Sequence, residues 1–183
     1  MRDMKLKAPV SPGIKRKDAL LTNAISFITM ASTGNTSDFG DATVARFSAS
    51  GLGSPTRGIM AGGGTPTKQN TIDFIEIAST GNATDFGDVG TAKTGAFSCA
   101  SSTTGFIAGG AGGSSLSIIE KINIASQGNA ISFGDLLAVG NKGIGTSNSL
   151  KAIFAGGNPA SDVIQETRFS TGGTATDFGD LSA

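Results

Sequence analysis

One short segment recurs four times along the chain, and its spacing limits the folds that the chain can adopt. Its clearest copy, TIDFIEIASTGNATDFGD, spans residues 71–88. The glycine of its Phe-Gly-Asp element recurs at steps of 47, 47 and 45 residues, at Gly40, Gly87, Gly134 and Gly179. A fixed period of this length is typical of repeat architectures, and it predicts just under four units in the 183 residues.

A second element recurs in phase with the first, as an apolar strand that ends in two glycines. Its copies read IMAGG, FIAGG and IFAGG, at residues 59–63, 106–110 and 153–157. Each full period then holds four short β-rich segments separated by glycine turns, which is the strand number of one propeller blade. A hydrophobic content of 38% with 28 glycines favours such thin strands and frequent turns, and no helix is required.

The chain divides into an arm and a repeat domain. Residues 1–22 match no repeat and are predicted to be extended. They carry six of the fourteen basic residues, which indicates either a solvated leader or an anchor for an acidic partner. The arm has no interleaved aromatic residues and so does not favour nucleic acid. The predicted repeat domain, residues 23–183, has units near residues 23–41, 42–88, 89–135 and 136–183.

The paired glycines that close an apolar strand at a period of 47 residues resemble the kelch repeat. The segments NTIDFIEIASTGNATDFGD and RGIMAGG resemble more closely a kelch-like variant of tailed marine bacteriophage proteins. The resemblance covers residues 23–180. It implies an all-β fold of four-stranded propeller blades, with the Gly-Gly strand second in its blade, and it implies a place in a phage virion.

The chain departs from the ordinary kelch pattern in its aromatic residues. It contains no Tyr and no Trp, so the strand aliphatics and four phenylalanines are expected to take over their packing role: Phe39, Phe86, Phe133 and Phe178. The copper chemistry of some kelch propellers needs Tyr and His. The composition excludes that chemistry, because the chain has neither residue.

Four Phe-Gly-Asp elements accompany only three Gly-Gly strands, so at least one blade is incomplete. The chain is expected to begin with the third and fourth strands of a blade, to run through two complete blades, and to end after a third strand and a Phe-Gly-Asp turn. The first blade then has an open strand edge. About 3.5 units close only with help from the arm, from other copies or from a neighbouring chain. We expect a homo-oligomer, most simply a two-chain ring of about seven blades.

Few residues suit catalysis or metal binding. The chain has no His, which removes the usual general base and zinc ligand, and its only cysteine, Cys99, is predicted to be a structural strand residue. The Asp-Phe-Gly triplets lack the other kinase motifs. The repeated aspartate pairs are expected to cap turns rather than to bind calcium: Asp38/Asp41, Asp85/Asp88 and Asp177/Asp180, with Ser132 opposite Asp135 in the third copy. No catalytic, cofactor-binding or metal-ligating residue is predicted.

Four basic residues lie between the Phe-Gly-Asp and Gly-Gly elements: Arg46, Arg57, Lys93 and Lys142. We expect them to form salt bridges with the acidic turns of the same or the next blade rather than to contact a ligand. Exposed pairs of this kind contribute little stability.

The sequence therefore predicts a non-enzymatic structural component of a tailed bacteriophage virion, in the tail, fibre, baseplate, neck or head surface, synthesised in the host cytoplasm. It would assemble through its blade edges and contact other virion proteins through the basic arm. No apolar run is long enough to cross a membrane. The alternative is a receptor-binding module that holds a host-surface glycan in polar loops 63–70 and 110–117, although the chain lacks Trp and Tyr platforms. A glycan depolymerase is the least favoured hypothesis, because no acid stands out from the repeated aspartates.

Overall fold

A computed structural model of the chain describes residues 22–182. In this part every regular element is a β-strand, and the strands form three four-stranded antiparallel sheets, one two-stranded sheet and a small hairpin. The described residues contain no helix that could cross a membrane. The arm predicted for residues 1–22 lies outside the described residues except for Thr22.

The strands follow the repeat units along the chain. The first unit has two strands: β1 (Ala24–Phe27) and β2 (Ser37–Asp41). The second unit has a four-stranded sheet and the hairpin: β3 (Ser50–Gly53), β4 (Arg57–Ala61), β5 (Gly64–Thr65), β6 (Thr67–Lys68), β7 (Thr71–Glu76) and β8 (Thr84–Asp88). The third unit has four strands: β9 (Phe97–Ala100), β10 (Thr104–Ala108), β11 (Ile118–Asn123) and β12 (Ile131–Asp135). The fourth unit also has four: β13 (Ile144–Ser147), β14 (Lys151–Ala155), β15 (Val163–Arg168) and β16 (Thr176–Asp180).

Each complete sheet is a meander in which the strands pair in chain order, as β3-β4-β7-β8, β9-β10-β11-β12 and β13-β14-β15-β16. The Gly-Gly strand is the second in each sheet, and the all-β prediction with four-stranded sheets is confirmed. The expected end of the last unit was wrong. Its Phe-Gly-Asp segment, β16, pairs with β15 as a fourth strand, so the chain has three complete sheets and not two.

Every Phe-Gly-Asp strand carries a one-residue bulge at the same place. In the second unit Ile72 lies opposite Gly87 and Asp73 lies opposite Asp85, so Phe86 has no partner across the ladder. In the other three Phe-Gly-Asp strands, the phenylalanine is likewise the residue that has no partner in the ladder. A bulge redirects a side chain out of the regular alternation of a strand. Here Phe86 is buried in the layer between the second and third sheets.

The hydrophobic core lies between successive sheets. One cluster joins the second and third sheets: Ile59, Ala61, Ile72, Phe74, Phe86, Val89, Ile107, Ile122 and Ile124. A second cluster joins the third and fourth sheets: Phe97, Cys99, Phe106, Ala108, Ile119, Leu136, Ala152, Phe154, Phe169 and Ala175. The rings of Phe106 and Phe169 stack across this second layer with centroids 4.6 Å apart. Burying such side chains stabilises a fold by about 1.5–3 kcal/mol each, so every sheet depends on a neighbour for its stability.

Three of the four predicted phenylalanines are packed in the interior. Phe39 and Phe86 are buried, and Phe133 packs against the second cluster. The prediction was wrong for Phe178, which is 57% exposed. Among the described residues, no sheet packs against the fourth one on the side of Phe178.

The first sheet lacks the two inner strands that the other sheets have. A groove of about 430 Å³ lies beside the second sheet at this position, lined mainly by apolar side chains: Ile25, Leu52, Ile59, Met60, Phe74 and Ile75. The incomplete first unit predicted from the sequence is therefore present in the described residues. Its two strands leave part of the second sheet uncovered.

The structural role predicted for Cys99 is confirmed. Cys99 lies in β9 and is buried in the cluster between the third and fourth sheets. Burial raises the pKa of its thiol to about 12, and a hydrogen bond with Ser147 opposes this shift.

We expect Cys99 to resist alkylation in the folded protein. With a thiol pKa of about 12, roughly one molecule in ten thousand carries the reactive thiolate at about pH 8. Iodoacetamide at that pH should leave the intact mass unchanged, whereas the same treatment in guanidinium chloride should add one carbamidomethyl group. Rapid labelling of the native protein would contradict the burial of Cys99.

Candidate functional site

The most specific geometry in the molecule lies where one sheet meets the next. The loop between the third and fourth strands of the third sheet rests on β8 of the second sheet. Gly128 donates its N–H to the carbonyl of Phe86, and Ala130 donates to the carbonyl of Asp88, both at 2.8 Å. In return, the side-chain oxygen of Asn129 accepts the N–H of Asp88 at 3.0 Å. We call this set of contacts the loop-strand junction.

The same junction joins the first and second sheets. The N–H of Gly81 donates to the carbonyl of Phe39 at 2.7 Å, and the N–H of Ala83 donates to the carbonyl of Asp41 at 2.8 Å. The side-chain oxygen of Asn82 accepts the N–H of Asp41 at 3.0 Å. The junction therefore repeats bond for bond, 47 residues earlier in the chain.

The third junction, between the third and fourth sheets, keeps the two backbone bonds. Gly173 donates to the carbonyl of Phe133 at 3.2 Å, and Ala175 donates to the carbonyl of Asp135 at 2.7 Å. Thr174 stands where the other two loops have asparagine. Among the described residues, no side chain accepts the N–H of Asp135, so the backbone alone makes the hydrogen bonds of this junction.

The glycine of Phe-Gly-Asp allows this close approach. Gly40 and Gly87 have positive φ angles of 146° and 141°, which side-chain-bearing residues rarely adopt. A Cβ on Gly87 would overlap the carbonyl group of Gly128, and a Cβ on Gly40 would overlap that of Gly81. The element first singled out in the sequence is thus a docking strand for the next loop.

The paired glycines that follow the second strand of a sheet make another contact between neighbouring units. Gly63 donates its N–H to the carbonyl of Lys93 at 2.8 Å, and Gly110 donates to the carbonyl of Gly140 at 2.7 Å. A Cβ on Gly62 would overlap the same Lys93 carbonyl. Both repeated glycine markers in the sequence therefore exist because the backbone of the next unit approaches there.

The repeated aspartates take part in these junctions mainly through their backbone. Among the described residues, no group donates a hydrogen bond to four of their carboxylates: Asp38, Asp41, Asp85 and Asp88. The predicted turn capping was therefore wrong at those four. Within residues 22–182, Asp177 accepts the N–H of Gly179 at 3.2 Å, and Asp135 accepts the hydroxyl of Ser117 at 2.9 Å. Within residues 22–182, no three His, Cys, Asp or Glu side chains converge as a metal site would require.

A buried ion pair links the start of the second unit to its third strand. Arg46 Nη2 lies 2.5 Å from Asp73 Oδ2, and each side chain is only 1% exposed. Asp73 also accepts the N–H and the hydroxyl of Thr43, and Arg46 donates to the carbonyl of Thr71. Burial lowers the pKa of Arg46, and the Asp73 carboxylate opposes that shift.

The third unit repeats this pair with different residues. Lys93 and Glu120 stand 47 residues after Arg46 and Asp73, and their side chains are equally enclosed. Glu120 also accepts the N–H of Gly90. In the fourth unit both charges are replaced. Gly140 stands at the position of the base and Gln165 at that of the acid, and Gln165 accepts the N–H of Leu137 at 2.7 Å.

The salt-bridge prediction was right for three of its four bases and wrong about their partners. Arg46, Arg57 and Lys93 do pair with acids, but those acids lie in third strands and not in the Phe-Gly-Asp turns: Asp73, Glu76 and Glu120. Lys142 forms no ion pair with any described residue. Because the buried bases are already paired with acids, neither offers a free charge to a ligand.

Sequence reasoning missed the loop asparagines and the buried acids. Both carry a signal in the sequence. Asn82 and Asn129 lie 47 residues apart, in phase with the glycines, and Asp73 and Glu120 have the same spacing within apolar third strands. A charged residue that recurs in the middle of a buried strand indicates a buried partner, because burying an unpaired charge is costly.

The two ends of the series have no junction partner among the described residues. In the first unit, the loop at residues 34–36 has no described Phe-Gly-Asp strand of a preceding unit to rest on, and its asparagine, Asn35, pairs with no described group. In the fourth unit, no described loop rests on β16, and a Cβ on Gly179 would meet open space. Each end therefore carries one half of a loop-strand junction.

The sequence matches no protein-family model, and no curated protein is significantly similar to it. The fold alone defines its class, as an all-β protein of four-stranded antiparallel sheets joined in series by repeated backbone contacts.

We expect Gly87→Ala to destabilise the protein more than Gly179→Ala. Both glycines have φ near the same value, 141° and 144°, so both variants suffer backbone strain of about 1–3 kcal/mol. Only Gly87 has the next loop against it, and its variant must also displace that loop. Urea denaturation of dilute protein should show the larger loss for Gly87→Ala. Equal losses would mean that the loop contact contributes nothing.

We expect Lys93→Met alone to cost about 3–5 kcal/mol of unfolding free energy, because it leaves Glu120 buried without its cation. The double variant Lys93→Met/Glu120→Gln should recover most of this loss. Its glutamine can still accept the N–H of Gly90, as Gln165 accepts that of Leu137 in the fourth unit. Chemical denaturation measures both values, and a double variant no more stable than the single one would contradict the pairing.

Proposed function

We propose that the chain is a non-enzymatic structural component of a tailed bacteriophage virion, incorporated in several copies through the ends of its sheet series. The observation that carries the proposal is the unpaired half-junction at each end, one on the loop at residues 34–36 and one on β16. Docking surfaces that are open among the described residues are suited to assembly with neighbouring chains.

The positions of the buried charged side chains support a structural role. The two most deeply buried ion pairs, Arg46–Asp73 and Lys93–Glu120, are tied to the backbone of their own units. Catalytic acids and bases are typically set apart from such networks, in a cleft where a substrate can reach them. The main apolar groove instead lies where the first sheet lacks two strands, which favours a packing role for it.

The assignment to a virion rests on the resemblance of the repeats to those of phage proteins. The proposed assembly of several copies agrees with that assignment, because virion parts are built from many copies of few chains. The basic arm at residues 1–22, outside the described residues apart from Thr22, is the proposed contact with other virion proteins.

Composition of purified particles tests the proposal. Antibodies raised against the purified chain should label washed virions, and quantitative mass spectrometry should find several copies in each particle. A chain that is abundant in infected cells and absent from washed particles would contradict a structural role in the virion.

A receptor-binding module is the second candidate, and the position of two loops favours it. Residues 63–70 and 110–117 both connect the second strand of a sheet to the third, so they lie at the same end of adjacent sheets. The hairpin in the first loop exposes Thr67 and Lys68. Binding of the purified chain to a host-surface glycan, weakened by Lys68→Ala, would support this candidate. The absence of binding to host-surface glycans would count against it.

A further inference from the structure

We propose that the loop at residues 34–36 of one copy docks onto strand β16 of a second copy and forms a fourth loop-strand junction between chains. The inference rests on the proposed function in one respect, namely that the protein assembles with itself. It goes further by naming the two surfaces and the bonds that join them.

The loop half of this junction is present in the first unit. Asn35 lies 47 residues before Asn82, and the glycine before it, Gly34, lies 47 residues before Gly81. No described residue accepts the N–H of Gly34 or donates to the side chain of Asn35. The first unit thus carries the asparagine that the third junction lacks.

Apolar side chains beside this loop are also uncovered. Ile28 is 60% exposed and Met30 is 95% exposed. Their counterparts in the third unit, Ile122 and Ile124, are buried in the cluster that includes Phe86 of the preceding sheet. No described sheet precedes the first one, and Ile77, the second-unit counterpart of Met30, is also 49% exposed beside the two-stranded first sheet.

The strand half of the junction is present in the fourth unit. Gly179 has a φ of 144°, close to the 146° of Gly40, although no described loop rests on it. Phe178 is 57% exposed and Leu181 is 44% exposed, whereas their counterparts Phe86 and Val89 are buried. The last strand therefore has the bulge and backbone conformation of a docked strand without the loop.

The internal junctions specify how the two halves meet. Gly34 of one copy would donate its N–H to the carbonyl of Phe178 of the next copy, and Thr36 would donate to the carbonyl of Asp180. The side chain of Asn35 would accept the N–H of Asp180, as Asn82 accepts that of Asp41. Phe178 would be buried between the two copies, as Phe86 is buried in the cluster that also holds Ile122 and Ile124.

A second copy of this chain is the occupant that matches both surfaces. Each half is complementary to the other by a geometry that the chain already uses three times. The contact joins two different surfaces, so it is a head-to-tail contact that either closes into a ring or extends as a filament. The loop half lies in the first described unit and the strand half in the fourth. Each copy can therefore contact one neighbour through its loop and another through β16.

Cross-linking between copies tests the proposed contact. The double variant Asn35→Cys/Asp180→Cys places thiols on the two surfaces, and native Cys99 is buried with a thiol pKa raised to about 12. A short bismaleimide should then produce a ladder of dimers and larger species. The matched control Asn35→Cys/Lys68→Cys moves the second thiol to the exposed hairpin and should give mainly monomer.

Light scattering over a concentration series tests the same contact without cysteines. The unmodified chain should gain mass with concentration, and Asn35→Ala should require about tenfold more protein for the same mass, because it removes one hydrogen bond. Gly179→Ala should abolish the increase in mass with concentration, because its Cβ would overlap the docked loop of the next copy. Lys68→Ala, away from both surfaces, should leave it unchanged. Circular dichroism checks that each variant is folded.

Three outcomes would overturn the proposal: a monomer at all concentrations, cross-linking of the control pair equal to that of the test pair, or a cross-link formed within one chain. These outcomes do not bear on the proposed function in the same way. A monomeric chain that is still found in washed virions would refute the contact between copies and leave the structural role standing. Self-assembly without any presence in virions would do the reverse.

Discussion

The fold depends on the close approach of one backbone to another at the loop-strand junction. A phenylalanine left out of the ladder by a bulge points its ring into the next layer, and the glycine after it leaves room for the incoming loop. Two backbone hydrogen bonds and, at two of three junctions, an asparagine side chain then fix the spacing of the sheets. The large apolar clusters lie between the same sheets that the junctions join.

Charge in the interior follows the same repeat with one informative change. The second and third units bury an ion pair, whereas the fourth has a glutamine with a glycine in place of the base. In all three, the acid or amide oxygen accepts a backbone N–H from the segment that precedes the first strand. The shared requirement is therefore an acceptor for that N–H. A base is present only in the units whose acceptor is a charged carboxylate, since an unpaired buried charge is costly.

The period and the strand patterns predicted the sheets, their strand order and the incomplete first unit, because each depends on local alternation and glycine spacing. The last Phe-Gly-Asp segment was predicted as a turn after the third strand, since one large apolar residue beside a glycine carries little strand signal and the bulge depends on pairing with the third strand. The partners of Arg46 and Lys93 were misassigned because burial of Asp73 and Glu120 is set by neighbouring sheets. The prediction that Phe178 is a core residue was wrong for a related reason, since its burial requires a neighbouring sheet that the described residues do not supply.

Each sheet in the described series docks onto its neighbour through a loop-strand junction. The first and the last sheet are therefore each left with half of a junction. Amide hydrogen exchange, measured residue by residue across a concentration series, tests this account most directly. The N–H groups of Gly81 and Gly128 should be protected at every concentration, because each donates to the preceding sheet. The N–H of Gly34 should exchange quickly in dilute protein and become protected as copies associate. Exchange at Gly81 and Gly128 as fast as at Gly34 throughout would contradict the account.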